Sequence, residues 1–174
     1  MNEPSEEAGA TSERARRVHV VGCHRSGTTL MMELLWYAYA FSGRCEHEAS
    51  IFRPVPAGDT LYLTKQPTDT IRIEVAFNAD ELLSLICMVR DPRAMATSEH
   101  PSFPGVYFSG FRRWLEYQRV IERLARHPRC VLVRYEDLLL VPDEVQTQLE
   151  ARFPFLTRRR DFERYPEGAD VTGR

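Results

Sequence analysis

The stretch V-H-V-V-G-C-H-R-S-G-T-T-L, residues 18–30, decides how the chain is read. Val18 to Val21 form a short, largely β-branched run, the pattern of a buried strand. Gly22 and Gly27 follow with the spacing of a phosphate-binding loop. Thr28-Thr29 then open an apolar run with Leu30, Met31, Leu34 and Leu35 at helical steps. A strand, a glycine turn and a helix in that order aim backbone N–H groups at an anion. A nucleotide kinase would place lysine directly after the second glycine. Here Thr28 stands there, and the positive charge is Arg25, inside the loop. The loop points to an anionic ligand and away from an ordinary ATPase. The plain alternative is a tight strand-to-helix turn that holds nothing.

Outward from this loop, strand and helix signals alternate. Residues 1–16 lack hydrophobic periodicity and are expected to be a flexible tail, with one domain over 17–174. The helix after the loop should reach about residue 40, where Ser42-Gly43 ends it. Residues 44–60 read as a loop, broken by Pro54, Pro56 and Gly58. A strand is predicted over 61–63, leading into Lys65-Gln66-Pro67, and residues 70–81 are ambiguous. The apolar run 82–89 reads as a buried strand that Arg90-Asp91-Pro92-Arg93 breaks. A short helix over 93–99 and a loop over 101–105 follow. The strongest helical pattern covers 107–126, with Phe108, Phe111, Trp114 or Leu115, Ile121 and Leu124 along one side. Phe111, Trp114 and Tyr117 are read as core. Residues 130–133 form another strand, and Pro142 starts a helix to about 153. The pattern implies an α/β domain, a P-loop NTPase-like three-layer sandwich around a mainly parallel sheet. Such sheets bind ligands beyond the carboxyl ends of their strands. Gly22, Lys65 and Arg90 each follow a predicted strand.

The bulk properties narrow the field. A hydrophobic fraction of 43% in 174 residues suffices for a core, and a net charge of −2 gives no reason to expect a nucleic-acid partner. Cys23, Cys45, Cys87 and Cys130 form no C-x-x-C pair, so no metal site is expected, and Cys87 and Cys130 read as small buried hydrophobes. No apolar leader or membrane-length run is present. The chain reads as soluble, cytoplasmic and without a membrane partner.

Four short motifs, the loop's own among them, form an ordered set: R-S-G-T-T at 25–29, K-Q-P at 65–67, R-D-P-R at 90–93 with Ser98, and R-Y-E-D-L at 134–138. The set resembles the sulfotransferases that use 3′-phosphoadenosine 5′-phosphosulfate (PAPS). Its closest likeness is to the branch that contains tyrosylprotein sulfotransferases and many bacterial members. The resemblance spans about residues 18–157. It implies that Gly22, Arg25, Ser26, Gly27, Thr28 and Thr29 bind the 5′-phosphosulfate end of PAPS, with Arg25 also catalytic. Arg90 and Ser98 match the family's 3′-phosphate clamp. An arginine fork at a strand end suits phosphate independently of that match. Lys65 matches a lysine near the transferred group, although a lysine before a proline loop is more usually solvated. Ala94 departs from the acid that many relatives carry.

Transfer to a hydroxyl or amine acceptor needs a base within reach. In R-C-E-H-E at 44–48, Glu48 is the first choice for it and Glu46 the second, with His47 and His100 as alternatives. His24 lies in the loop beside any ligand, and His19 alternates within a strand as a structural residue. Arg90-Asp91 could be a local ion pair, and the acids of 134–138 are read as fixing neighbouring loops. No metal is required, because a sulfuryl group carries less charge than a terminal phosphoryl group. Rival readings are a small-molecule P-loop kinase and a catalytically incomplete nucleotide-binding domain. A kinase fits poorly with Lys65 as the chain's only lysine. The second arises because family members usually continue past the last helix, so this sequence is either unusually compact or truncated. The basic run Arg158-Arg159-Arg160 could substitute for that segment.

Overall fold

Val18, Val20 and Val21 are buried because their strand is the middle one of a five-stranded sheet. A computed structural model describes residues 14–100, 103–107 and 110–165, and the backbone alone of His100. In chain order the elements are β1 (Arg16–Gly22), α1 (Thr28–Ala38), β2 (Gly43–Arg44), β3 (Leu61–Lys65), α2 (Ile73–Ala79), β4 (Leu83–Val89), α3 (Pro92–Ala96), β5 (Glu99–His100), β6 (Phe103–Tyr107), α4 (Phe111–Leu124), β7 (Cys130–Arg134), α5 (Tyr135–Leu140) and α6 (Pro142–Arg152). A 3-10 turn, Pro67–Arg72, links β3 to α2. The sheet order is β2-β3-β1-β4-β7, and every pairing in it is parallel.

Parallel neighbours need crossovers, and those crossovers put helices on both faces. On one face Val20, Ile86 and Val133 meet Met31 and Leu35 of α1 and Leu149 of α6. On the other, Val21, Leu85 and Cys87 meet Phe77 of α2 and Val120, Ile121 and Leu124 of α4. The result is the expected three-layer sandwich. Each fully buried aliphatic side chain contributes about 1.5–3 kcal/mol. The arrangement also brings Gly22, Lys65, Val89 and Arg134 to one edge, where the strands end.

Several expectations are corrected. Strand β1 begins at Arg16, inside the stretch read as tail; residues 1–13 lie outside the described residues. Residues 43–44 form a short edge strand instead of loop. Residues 70–81, ambiguous in the sequence, are helical up to Ala79, as the end of the 3-10 turn and then α2. The helix read over 93–99 stops at Ala96, and Ser98 sits in the turn beyond, its N–H donating to Met95 O at 3.1 Å. The loop read at 101–105 becomes β6 from Phe103, antiparallel to β5. Helix α4 starts at Phe111 instead of 107, and Phe108 lies outside the described residues. Tyr117 is buried as expected and Trp114 is half-buried against it, but Phe111 is 60% exposed. Helix α4 packs on the sheet through Val120, Ile121 and Leu124, while Tyr117 packs on Cys23 and Met95. Cys87 and Cys130 are fully buried free thiols, their sulfurs 3.4 Å apart. The basic run is tied into local contacts: Arg158 pairs with Asp161 at 2.8 Å, and Arg160 lies over the Tyr37 ring.

Candidate functional site

The loop between β1 and α1 takes a shape that its glycines permit. Gly22 has φ +150°, and a Cβ there would stand 2.6 Å from both Met88 O and Ser26 Oγ. Gly27 has φ +92°, and a Cβ would run into the Tyr135 ring. Arg25 is the one non-glycine among the described residues with positive φ, at +68°. Such a conformation is unfavourable for a side-chain-bearing residue and persists only when its surroundings impose it. Two contacts do so. The Arg25 Nε donates to Ser98 Oγ at 2.9 Å, and Arg90 Nη1 donates to Arg25 O at 2.9 Å. The structure therefore brings Arg25, Arg90 and Ser98 together, from positions up to 73 residues apart.

Two polar atoms here have no hydrogen-bond partner among the described residues, Ser26 Oγ and Arg90 Nε, and both are buried. The first N–H groups of α1 at Thr28 and Thr29 likewise have no carbonyl one turn earlier. The Arg90 guanidinium rests 4.3 Å from the Tyr135 ring centroid. Buried donors left open beside a helix start fit an anion such as a phosphate.

Lys65 approaches from the other side. Alternation along β3 places Leu61, Leu63 and Lys65 on the α1 face. Far from being solvated, Lys65 is 1% exposed. Its Nζ donates to Thr29 Oγ1 at 3.1 Å and to Glu48 Oε1 at 3.0 Å. A buried ammonium needs such partners, since an unpaired one is costly. Glu46, His47 and Glu48 are all exposed on this loop, and Glu48 is the one tied to Lys65. All three line a cavity of about 550 Å³ with Arg53, Tyr62 and Thr64. Burial pulls the His24 imidazole below its ordinary pKa. His100's side chain lies outside the described residues.

Asp91 does not pair with Arg90. Its carboxylate caps α3, accepting from Arg93 N at 2.8 Å, and pairs with the Arg93 side chain at 2.6 Å, which draws its pKa down to about 2. Glu136 accepts from Asp91 N at 2.9 Å, so an acid of the 134–138 motif does fix the neighbouring loop.

Three residues beside the site had no assigned role. Tyr135 packs on Gly27 and Arg90. Thr70 Oγ1 accepts from Gly22 N at 3.0 Å and donates to Pro67 O at 2.8 Å, closing the base of the loop. Asp69, next to it, is buried, faces His19 Nε2 at 3.5 Å and is bonded to the 44–60 loop. The available signal was the position of T-D-T immediately beyond a strand's carboxyl end.

The five-stranded, all-parallel sheet with a glycine turn leading from its middle strand into α1 is a fold shared with sulfotransferases of known structure. Solved structures that share it include the mouse sulfotransferase SULT7A1 complexed with PAP, at TM-score 0.58 and 13% identity over 81% of this chain and 59% of that one. The sulfotransferase domain from the curacin biosynthetic pathway matches at 0.56 and 16% over 91% and 79%. That of the Synechococcus PCC 7002 olefin synthase matches at 0.57 and 14% over 91% and 80%. The chain thus spans 59% of the length of the mouse protein. No protein-family model matches it. No curated protein sequence matches it either. Among the described residues no helix is long and apolar enough to cross a membrane, and no three His, Cys, Asp or Glu side chains cluster as a metal site.

Proposed function

We propose that this protein is a sulfotransferase that moves a sulfuryl group from PAPS to an acceptor hydroxyl or amine. The observation that carries the reading is the convergence of Arg90 and Ser98 on Arg25, with Lys65 buried against Thr29 across the loop. Arg25, Ser26, Thr28, Thr29 and the first N–H groups of α1 bind the 5′-phosphate side of the donor; Gly22 and Gly27 let the backbone come close. Arg90 and Ser98 bind the 3′-phosphate and so select PAPS over ATP. Lys65 and Arg25 offset the charge that develops on the departing phosphate, where preorganised donors act most strongly. Glu48 takes the acceptor's proton, and the acceptor enters by the cavity that Glu48 lines. The four free cysteines are compatible with a cytoplasmic setting.

Calorimetric titration with 3′-phosphoadenosine 5′-phosphate (PAP) against ADP tests the reading. PAP should bind more tightly, and Arg90→Ala should weaken PAP about ten- to a hundredfold, the loss expected for hydrogen bonds to a charged group, while leaving ADP nearly unchanged. Equal affinity for both nucleotides in the unsubstituted protein would overturn it. Tight PAP binding with no transfer to any acceptor would instead mark a nucleotide-binding domain without turnover.

A further inference from the structure

The loop that carries Glu48 is held down from beneath by a buried polar cluster on the other face of the sheet. Asp69, 4% exposed, accepts from Ile51 N at 2.5 Å and from Ser50 Oγ at 3.2 Å. The same Ile51 peptide is gripped at its carbonyl by Arg17 Nη1 at 2.5 Å, and Arg17 Nη2 donates to Arg53 O at 2.7 Å. His19, fully buried, lies behind: its Nδ1 is 2.7 Å from Thr64 Oγ1, and its Nε2 faces Asp69 Oδ2 at 3.5 Å, a charge contact too long for a good hydrogen bond.

Around Glu48 the loop is pinned to β3 by two main-chain bonds, Cys45 N to Leu63 O before it and Ala49 N to Lys65 O after it, each 3.0 Å. The Asp69–Arg17 grip extends the hold on the C-terminal side to Ser50 and Ile51. Buried carboxylates with several donors rigidify what they touch, because an unmade bond there costs the full desolvation of the group.

We propose that Asp69 is a positioning residue for Glu48: by clamping Ser50 and Ile51 it holds the Glu48 carboxylate against Lys65, in the place where the acceptor loses its proton. The inference rests on the sulfuryl-transfer reading above. Asp69 bonds Ser50 and Ile51 of the loop directly, whereas His19 stands between it and Thr64, the neighbour of Lys65.

Because Lys65 is the chain's only lysine, protein labelled with ¹⁵N,¹³C-lysine gives one side-chain ammonium signal by NMR. Glu48→Gln should move that signal, and Asp69→Asn should move it in the same direction. Ser50→Ala, a milder change that removes one Asp69 partner, should move it part of the way and serves if Asp69→Asn does not fold. Glu122→Gln, an exposed carboxylate on α4 that accepts from Gln118, should leave it in place. A Lys65 signal unmoved by Asp69→Asn or Ser50→Ala, while Glu48→Gln moves it, overturns the proposal.

Turnover supplies a second arm, with 4-nitrobenzyl alcohol and 4-nitrophenol as acceptors at a pH where the phenol is already ionised. Asp69→Asn should lower kcat about tenfold or more for the alcohol, which needs a base, and much less for the phenolate. Its Kd for PAP should stay within about twofold, well under the tenfold that 1.4 kcal/mol represents. Equal loss with both acceptors also overturns the proposal. Failure of the unsubstituted protein to bind PAP or to use PAPS counts against the transfer reading instead, and the Lys65 signal still decides the clamp.

Discussion

The carboxyl edge of the sheet and the hairpin β5–β6 beside it are adjacent in sequence through Ser98-Glu99 but built on opposite terms. At the sheet edge, charged groups are held by specific bonds: the buried Lys65 to Thr29 and to the Glu48 carboxylate, and the half-buried Arg90 to the Arg25 carbonyl. In the hairpin, all five residues of β6 are exposed, including Val106 and Tyr107 at 50% and 55%. A two-stranded hairpin is marginal on its own. Burying charge is expensive unless every member has a partner. The contrast teaches that the fold buries and bonds ionisable groups around the strand ends and beneath the Glu48 loop while leaving the hairpin in water, and buried charge in a cleft is a mark of function.

The largest effect that would break this contrast is expected at Lys65. In Lys65→Met the stem is kept and the ammonium lost. Sulfuryl transfer should fall about 10²- to 10³-fold, the usual loss on removing one preorganised charge-stabilising donor. PAP affinity, which the proposed function assigns to the loop, Arg90 and Ser98, should change by less than about tenfold, under 1.4 kcal/mol. Steady-state kinetics and calorimetry on the same preparation separate the two. A variant that retains near-normal turnover would show that burial of Lys65 is structural.

How much of this was readable in the sequence depends on how local each feature is. The P-loop was legible because glycine spacing, strand and helix are contiguous between Val18 and Leu30. The positions of Lys65 and Arg90 were legible as strand ends. The burial of Lys65 was encoded too, since it continues the alternation of Leu61 and Leu63 on one face. Tyr135 on Gly27 and Thr70 on Gly22 could not be read, because each contact joins segments that only the parallel register brings together. Asp69 was hidden for the same reason: its partners, His19 and residues 50–51, belong to two other segments. The hairpin was missed because Pro101, Pro104 and Gly105 look like loop punctuation. A proline is tolerated in an edge strand whose N–H has no ladder partner to lose. Phe111 was misread because helical spacing says which residues share a side, but not where along the helix that side meets the sheet.

A smaller effect sharpens the contrast through pH. Burial lowers the His19 pKa below its ordinary value, with Asp69 only partly opposing it. The unfolded chain then binds a proton that the folded one resists, so stability rises with pH wherever that difference exists. The His19 contribution is fully present above about 6.5 and is lost progressively as pH falls toward the lowered folded value. His24 and His127, both lowered by burial, act in the same sense. Urea unfolding midpoints should therefore decline from pH 7.5 to 5.0 by about the amount these groups share, and the slope should flatten in His19→Gln. The slope is the quantity to compare, since the substitution also shifts the absolute midpoint. An unchanged slope would mean that the buried cluster accepts a proton without penalty, and the polar contacts beneath the Glu48 loop would not differ electrostatically from the solvated hairpin.

The smallest effect is expected in the hairpin itself, and it tests the contrast from the exposed side. Val106→Ser removes apolar surface that is already half in water, so the unfolding free energy should shift by less than about 0.5 kcal/mol. The matched change Val20→Ser, at a residue 0% exposed in the central strand, should cost at least about 2 kcal/mol, from lost burial and a stranded hydroxyl. The two substitutions alter the same atoms, so their difference measures environment alone. A comparable cost at Val106 would mean that the hairpin is held by contacts as demanding as those of the core, and the division between a cross-bonded edge and a lightly held neighbour would have to be redrawn.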